Sequence, residues 1–252
     1  MARPNRGGDR KRVSAPIWTE PEPGRRRTKV TREQIAQAAF AIADAEGIDA
    51  VSMRRVADEL GVGTMTLYYY VRTKNDLLSL MDDELMAETI VPATKLPKDW
   101  RAAVTAIARS SRDAFIRHPW SLQMIGFGIG PNGMRHMEQS MRAVENLPLD
   151  EHGKMELLAI VDDFVFGHAL RMSDPLIASI SDPRAARSIT KFTISQIATG
   201  EFPLIASMIG DKEPLDAFYR IAKWMGDESR FDVGLEAILD GFEARIARKK
   251  KR

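Results

Sequence analysis

The stretch SMRRVADELGVGTMTLYYYVRTKNDLL, from Ser52 to Leu78, carries the most informative pattern of the 252-residue chain. Ser52 is a preferred helix N-cap residue, and apolar residues follow it at the i, i+4 spacing of one helix face. Gly61 is suited to end this short helix. A second short helix is predicted from Thr64 to about Val71. Two short helices joined by a glycine-containing turn are typical of a helix-turn-helix.

Three consecutive tyrosines, Tyr68, Tyr69 and Tyr70, distinguish the second helix. Successive helix residues point about 100° apart, so three neighbouring rings cannot share one face. We expect Leu67 and Val71 to face the protein and the tyrosines to fan around the exposed side. In a helix-turn-helix the second helix lies in the DNA major groove, and a tyrosine hydroxyl can bind a phosphate oxygen. The alternative is a helical hairpin inside an enzyme.

The residues from Ser52 to Leu78 resemble the DNA-binding signature of the TetR family of bacterial transcription regulators. The matching residues are Val56, Ala57, Leu60, Gly61, Val62, Thr66, Leu67, Tyr68, Val71, Lys74, Leu77 and Leu78, with Phe40, Gly47 and Val51 before them. The resemblance is detailed over about residues 31–86 and is one of all-helical architecture beyond them. The sequence LYYYV resembles the tetracycline-repressor-like branch.

The resemblance implies roles for individual residues. Thr64, Met65 and Tyr68 would lie at the major groove; Thr66, Tyr69, Tyr70 and Lys74 would contact the phosphate backbone; Arg54 would reach a base or a phosphate. Tetracycline repressors carry glutamine-proline where this chain has Thr64 and Met65, so we expect a different operator. Met65 is suited to an apolar contact with a thymine methyl group.

The composition is that of a globular protein, with 44% hydrophobic and 29% charged residues. No stretch approaches the roughly 18 uncharged apolar residues of a membrane helix, and the N-terminus lacks the apolar segment of a secretory signal. The absence of cysteine excludes disulfides and cysteine nucleophiles and fits a reducing compartment. A cytoplasmic protein without a membrane partner is therefore expected.

Positive charge is concentrated at the N-terminus. The chain has a net charge of +2, but residues 1–30 hold nine basic and three acidic residues, a local charge of +6. Residues 1–27 are also rich in proline and glycine, which predicts a disordered basic arm. Its last basic run, Arg25, Arg26 and Arg27, could enter the minor groove or add only non-specific attraction to phosphates, and we favour the second. A merely solubilising arm is the alternative.

The rest of the sequence predicts an all-α protein. A capping box at Thr31 and Gln34 opens the first helix, which Gly47 ends. Later helices are predicted at about 74–91, 98–117, 119–129, 131–146, 151–180, 183–199 and 232–248, with a short one near 214–225. The expected domains are the arm at 1–27, a three-helix helix-turn-helix domain at 28–75, a larger helical regulatory and dimerisation domain at 76–248, and a basic tail at 249–252.

The resemblance also implies a homodimer held by a four-helix bundle. The candidate helices are those near 151–180 and 232–248, which carry apolar stripes. The stripes consist of Leu157, Ile160, Val161, Phe164, Val165 and Ala169 in the first helix and of Leu235, Ile238, Leu239 and Phe242 in the second. The alternative is that both stripes face the core of their own subunit.

A ligand pocket is expected between the middle helices, which are rich in methionine and aromatic residues suited to an apolar or aromatic effector. Candidate lining residues are Trp120, Met124, Phe127, Met137, Phe164, His168 and Met172, with His118, His136 and Arg171 as further polar anchors. The alternative is core packing, which such residues usually serve. No cofactor or metal is predicted.

No catalytic motif is evident. The four histidines lack metal-binding spacing, and the adjacent pairs at 82–83 and 162–163 diverge on a helix. The sequence therefore predicts a non-enzymatic repressor that binds a palindromic operator in double-stranded DNA as a dimer and is released by a small-molecule effector. The helix at 74–91 would act as the lever. A helix-turn-helix factor without a small-molecule switch, or an activator, is the alternative.

Overall fold

The computed structural model describes residues 16–19, 21–22, 30–124, 130–173, 182–210 and 213–249. Within these residues there are eleven α-helices and no β-strand, so the all-α prediction is confirmed. The helices are α1 Arg32–Glu46, α2 Met53–Glu59, α3 Thr64–Tyr70, α4 Lys74–Thr89, α5 Trp100–Arg117, α6 Pro131–Val144, α7 Glu151–Met172, α8 Pro183–Ile197, α9 Pro203–Ile209, α10 Pro214–Met225 and α11 Ser229–Lys249. Short 3-10 helices lie at Ile17–Thr19, Ile48–Ala50 and Pro119–Gln123.

The chain divides into two compact units. The first comprises Met1–Glu84 and Gly126–Pro131, and the second comprises Leu85–Ile125 and Asn132–Arg252. The division falls inside α4, whereas the sequence predicts a domain boundary at residue 75. Helix α4 therefore contributes residues to both units.

The first unit is built on α1 and the helix-turn-helix pair. Thr31 accepts a hydrogen bond from Gln34 N at 3.2 Å and its own N–H donates to the Gln34 side chain at 3.0 Å, which confirms the predicted capping box. Gly47 ends α1 with a φ of +86°, a conformation that other residues rarely adopt. The buried apolar side chains of this unit include Ile35, Ala39, Val56, Leu67, Leu77 and Met81.

A short segment before α1 packs onto the first unit. Ile17 is buried in a 3-10 helix, and Arg32 Nη1 donates to its carbonyl oxygen at 3.2 Å. Trp18 lies against Gly130, where a Cβ atom would come within 2.7 Å of the indole. The prediction of disorder over residues 1–27 is therefore wrong at 16–19, because this segment has buried apolar contacts.

The core of the second unit is formed by α5, α7 and α11. Its buried residues include Val104, Ala108, Leu157, Val161, Leu235 and Leu239. Arg101 of α5 pairs with Asp240 and, at 2.7 Å, with Glu243 of α11. Most of the two stripes predicted for dimerisation thus lies in the core of its own unit, although Ile160 is exposed.

The last part of the second unit contains a helix that the sequence does not predict. Helices α8 and α10 match predicted segments, but α9 occupies a stretch interpreted as a connection. These three helices pack on one another. The last helix begins earlier than predicted, at Ser229, because the Asp227 side chain accepts a hydrogen bond from Ser229 N at 2.9 Å.

Candidate nucleic-acid interface

The turn between α2 and α3 is fixed by backbone hydrogen bonds. Gly61 N donates to Asp58 O at 3.2 Å, and Val62 N donates to Ala57 O at 3.0 Å. Gly61 has a φ of +63°, which confirms the predicted glycine turn. Ser52 caps α2 with its side chain, also as predicted. The two short helices therefore have the arrangement of a helix-turn-helix.

The inner face of α3 is buried. Leu67 and Val71 are fully buried, as their spacing predicts, and Tyr70 lies with them at 2% exposure. The Tyr70 hydroxyl has no hydrogen-bond partner among the residues that the structure describes. The predicted phosphate contact is wrong for Tyr70, because a hydroxyl without exposed surface cannot contact DNA. Tyr70 follows Leu67 by three residues and so shares its helix face.

The outer face of α3 is exposed. Met65 is 81% exposed, and Tyr68 and Tyr69 are each 44% exposed. Thr64 and Thr66 are partly buried in the first turn. These five side chains offer methyl, thioether and hydroxyl groups without a charge. The face is therefore suited to base edges and phosphate oxygens through apolar contacts and neutral hydrogen bonds.

Two adjacent arginines of α2 differ in their partners. Arg55 makes ion pairs of 2.7 Å with both Glu46 and Glu59, and so holds α2 to the end of α1. The Arg54 side chain is 88% exposed, and its Nε lies 3.9 Å from Asp58. Such an exposed pair contributes little to stability. Arg54 is therefore the arginine of this pair that can bind a polyanion.

The start of α4 contains a capping box that the sequence interpretation missed. Asp76 N donates to Thr73 Oγ1 at 3.0 Å, and Thr73 N donates to Asp76 Oδ2 at 3.2 Å. The sequence pattern that indicates this capping box is Thr-x-x-Asp, with aspartate in place of the usual glutamate or glutamine. Asp76 is buried, and Arg72 lies 3.6 Å from it. Lys74 is exposed in the same turn, as its predicted phosphate contact requires.

Four of the predicted site residues lie outside the described part of the chain. They are Arg25, Arg26 and Arg27 of the arm and Phe127 of the ligand set. Their contacts stay predictions.

The other predicted ligand residues have different environments. Trp120 and Met124 are buried, Met137 is exposed, and Met172 is partly buried. Phe164 and His168 both pack against the fully buried Phe231, with ring centroids 5.4 Å and 5.1 Å away. Burial, with the nearby cations of Arg112, Arg230 and Arg171, lowers the pKa of His168. Phe164 and His168 therefore serve the packing of α7 on α11.

Two cavities of the second unit lie away from these residues. A groove of about 510 Å³ runs between α5 and α11, bordered by the ion pair of Arg109 and Asp232 at 3.0 Å. A smaller apolar cavity of about 60 Å³ lies among α8, α9 and α10. Neither is lined by a residue of the predicted ligand set.

Both adjacent aspartate pairs contain one perturbed carboxyl group. Burial, reinforced by repulsion from Asp83, raises the pKa of Asp82 to about 6. The same two causes raise the pKa of Asp162 beside Asp163 to about 6. Within the described residues no group of three or more histidine, aspartate or glutamate side chains could hold a metal ion. In the same part of the chain, every helix is too short or too polar to cross a membrane.

Comparison with known proteins assigns both parts of the chain. Residues 35–81 match the family model of bacterial regulatory proteins of the tetR family, and residues 92–246 match the tetracyclin repressor-like C-terminal domain. The HTH-type transcriptional repressor DrrR1 of Streptomyces coeruleorubidus is 32% identical over 257 residues, covering 96% of this chain and 89% of that protein.

Solved structures agree with this assignment. Apo ActR from Streptomyces coelicolor matches with a TM-score of 0.67 at 28% identity, over 88% of this chain and 99% of ActR. ActR in complex with actinorhodin matches with a TM-score of 0.65 at 27% identity, over 86% and 97% of the two chains. The helix-turn-helix geometry, the two family models and these relatives lead to one conclusion: the chain belongs to the tetR family of bacterial regulatory proteins.

Proposed function

We propose that this chain is a dimeric repressor that binds a palindromic operator through α3 and leaves it when an apolar or aromatic effector binds. The observation that carries the proposal is the two-sided character of α3, with Leu67, Tyr70 and Val71 buried while Met65 and Tyr68 are exposed. The name of DrrR1 as a repressor and the ActR complex with actinorhodin support it. No catalytic step is part of the proposal.

The proposed DNA contacts follow from exposure and charge. The major groove is contacted by Thr64, Met65 and Tyr68, and phosphates are contacted by Thr66, Tyr69 and Lys74. Arg54 reaches a base or a phosphate. Non-specific attraction to the DNA backbone is added by Arg25, Arg26 and Arg27. Tyr70 has no part in binding and stabilises the inner face of α3.

The proposed dimer uses α7 and α11. Their stripes are largely occupied within one subunit, so the contact is made by the apolar residues that they leave exposed. These are Met155, Ile160 and Leu170 on α7 and Val233 on α11. Two-fold symmetry then presents two copies of α3 to major grooves about one DNA turn, ~34 Å, apart.

The proposed switch acts through the C-terminal end of α4. Thr89 Oγ1 donates to Met86 O at 2.8 Å and lies 2.8 Å from His136 Nδ1 of α6. Burial lowers the pKa of His136, which keeps the ring neutral. Val91 N also donates to Gln139 Oε1 of α6 at 3.1 Å. An effector that displaces α6 would therefore pull on the end of α4.

The effector is proposed to bind within the second unit. Trp120 and Met124 remain candidate contacts; both are buried, and Trp120 lies beside His118, with ring centroids 6.1 Å apart. Phe127, Met137 and Met172 stay candidates, whereas Phe164 and His168 already fill space against α11.

The test is fluorescence anisotropy on DNA from upstream of the chain's own gene, with unlabelled random DNA as competitor. We expect binding that resists the competitor and that Tyr68→Ala weakens at least about fivefold, as loss of a groove contact worth about 1–3 kcal/mol predicts. Met134→Ala, an exposed residue of α6, is the control and should bind like wild type. Equal binding to random DNA, unaffected by Tyr68→Ala, would refute operator recognition by α3.

A further inference from the structure

The first residue of α1 joins two parts of the chain that lie far apart in sequence. Arg32 Nε donates to Tyr70 O at 3.2 Å, and Arg32 Nη1 donates to Ile17 O, also at 3.2 Å. Both hydrogen bonds are partly buried. A single guanidinium group therefore connects the segment that precedes α1 to the last residue of α3.

The segment that precedes α1 is itself held by the first unit. Ile17 is 1% exposed, and the N–H and the hydroxyl of Thr19 donate to Pro16 O at 3.0 Å and 2.8 Å, which closes the 3-10 turn. Trp18 lies against the buried Gly130 so closely that the indole leaves no room for a Cβ atom there. The carbonyl oxygen that Arg32 binds at this end is thus fixed in place.

Glu22 holds the other end of the segment. Its Oε1 accepts a hydrogen bond of 2.7 Å from Arg32 N, the first N–H of α1. The first N–H groups of a helix lack a partner within the helix, and a negative charge is favoured at that end. Ile17, Trp18, Glu22 and Arg32, which we call the brace, are therefore linked to one another and to α3.

Helix α3 depends on such external contacts for its orientation. It has seven residues, whereas an isolated helix needs about 12–15 to be stable in water. Tyr70 O is one of the last carbonyl oxygens of α3, which lack a partner within the helix and favour a nearby cation. The exposed Tyr68 and Tyr69 directly precede it. A displacement of this end of α3 would therefore move two of the side chains proposed to bind DNA.

We propose that the brace positions α3 and that Arg32 is a positioning residue for operator recognition. The proposal rests on the proposed function, in which α3 reads the operator. An arginine offers several N–H donors in a planar fork and can bind two carbonyl oxygens in a fixed geometry, whereas a lysine carries a compact charge on a flexible stem. Groups that bind a partner must be held to within about 0.5 Å, which a short helix without the brace would not achieve.

The first experiment compares operator and random DNA in the anisotropy assay. Arg32→Lys keeps the charge but loses the fork, and should raise the dissociation constant for the operator at least about fivefold. Binding to random DNA should change less than about twofold, because attraction to phosphates does not require an oriented α3. Ile17→Ala, which loosens the segment that Arg32 binds, should act in the same direction. Arg187→Lys, at an exposed position of α8, is the control and should bind both DNAs like wild type.

Two outcomes of this experiment have different meanings. An Arg32→Lys variant that binds the operator like wild type overturns the proposal, because charge alone would then be sufficient. A wild-type protein that does not distinguish the operator from random DNA refutes the proposed function instead, and the brace is then tested by the second experiment alone.

The second experiment needs no DNA. The chain has no native cysteine, so nitroxides on Met65→Cys and Asp49→Cys, both at exposed positions, are the only labels. Labelled protein is mixed with an excess of unlabelled protein, and the distance between the two labels is measured by double electron–electron resonance. Arg32→Lys should shift or broaden the distance distribution, whereas Arg187→Lys should leave it unchanged. An unchanged distribution for Arg32→Lys overturns the proposal.

Discussion

The three tyrosines of α3 are identical side chains whose surroundings assign them different roles. The buried Tyr70 hydroxyl finds no partner among the described residues, and such a group costs about 1–3 kcal/mol. Tyr70→Phe should therefore leave DNA affinity unchanged and raise the free energy of unfolding, by up to about 3 kcal/mol in urea denaturation. Tyr68→Phe is the counterpart, which should weaken operator binding without altering stability. Weaker DNA binding by Tyr70→Phe would show that the Tyr70 hydroxyl does contact DNA.

The exposure of Met65 leads to a more specific prediction about the operator sequence. It is the most exposed large apolar residue of α3, and the only apolar group on the major-groove edges of the bases is the thymine methyl. Replacing the contacted thymine by deoxyuridine removes that methyl, so affinity should fall about fourfold per half-site, the value of one buried methyl group of about 0.8 kcal/mol.

Met65→Ala identifies the residue responsible for this effect. The variant should bind thymine and deoxyuridine operators with similar affinity in the same anisotropy assay, whereas Met134→Ala should keep the wild-type preference. A wild-type protein that tolerates deoxyuridine at every operator position would show that Met65 does not read a methyl group.

At the scale of elements, the sequence predicted the features that depend on near neighbours. The capping box at Thr31, the cap at Ser52 and the turn at Gly61 are each complete within a few residues, and all three are confirmed. Helix α9 was missed because Phe202 precedes it without a side-chain cap and its apolar residues fit no single face.

Features of the candidate site that depend on tertiary contacts could not be predicted. The burial of Tyr70 requires the helices packed around α3, and the difference between Arg54 and Arg55 depends on Glu46, nine residues earlier in the chain. Periodicity alone likewise does not separate a stripe that faces its own core from one that faces a partner. The stripes of α7 and α11 have the same pattern in both cases.

Helix α4 carries a pH-dependent contribution to stability at Asp82. Its pKa is raised from 3.8 to about 6 by burial, then by Asp83. Above pH 6 the Asp82 carboxylate of the folded protein is charged, although burial and the neighbouring Asp83 disfavour that charge. As pH falls from about 6 towards 4, the folded state takes up a proton before the unfolded chain does, and stability is gained.

Asp82→Asn should therefore raise the free energy of unfolding at pH 7.5, by roughly 1–3 kcal/mol, and leave it nearly unchanged at pH 4. Urea denaturation at the two pH values measures the difference. Asp49→Asn, at an exposed position of the first unit, is the control and should show no gain at pH 7.5. A gain from Asp82→Asn that is equal at both pH values would mean that charge is not its cause.

At the scale of the whole molecule, the proposed function depends on two copies of α3 acting together. One α3 is seven residues long and offers five exposed or partly exposed neutral side chains. Each good base contact contributes about 1–3 kcal/mol, so a single copy discriminates weakly among the many sites of a genome. Two copies joined by a dimer double the contacts and fix the distance between them.

The operator should therefore be sensitive to the spacing of its two halves. Inserting about five base pairs between them turns one half-site to the opposite side of the duplex, and affinity should fall at least a hundredfold, towards that of a single half-site. Inserting about ten base pairs returns both half-sites to the same side of the duplex but separates them by a further turn of ~34 Å. The affinity should therefore recover only slightly if α7 and α11 hold the two subunits rigidly.

The control is a five-base-pair insertion outside the operator, which should have no effect in the same anisotropy assay. Equal affinity for all spacings would show that the subunits bind half-sites independently. Operator binding would then not require the dimer, although α3 would still be the DNA-binding element. Full recovery at ten base pairs would instead require a flexible connection between the two units, because a rigid dimer cannot reach across an added turn. The result therefore also tests whether α4 can transmit a displacement to α3, since a lever must be stiff to act.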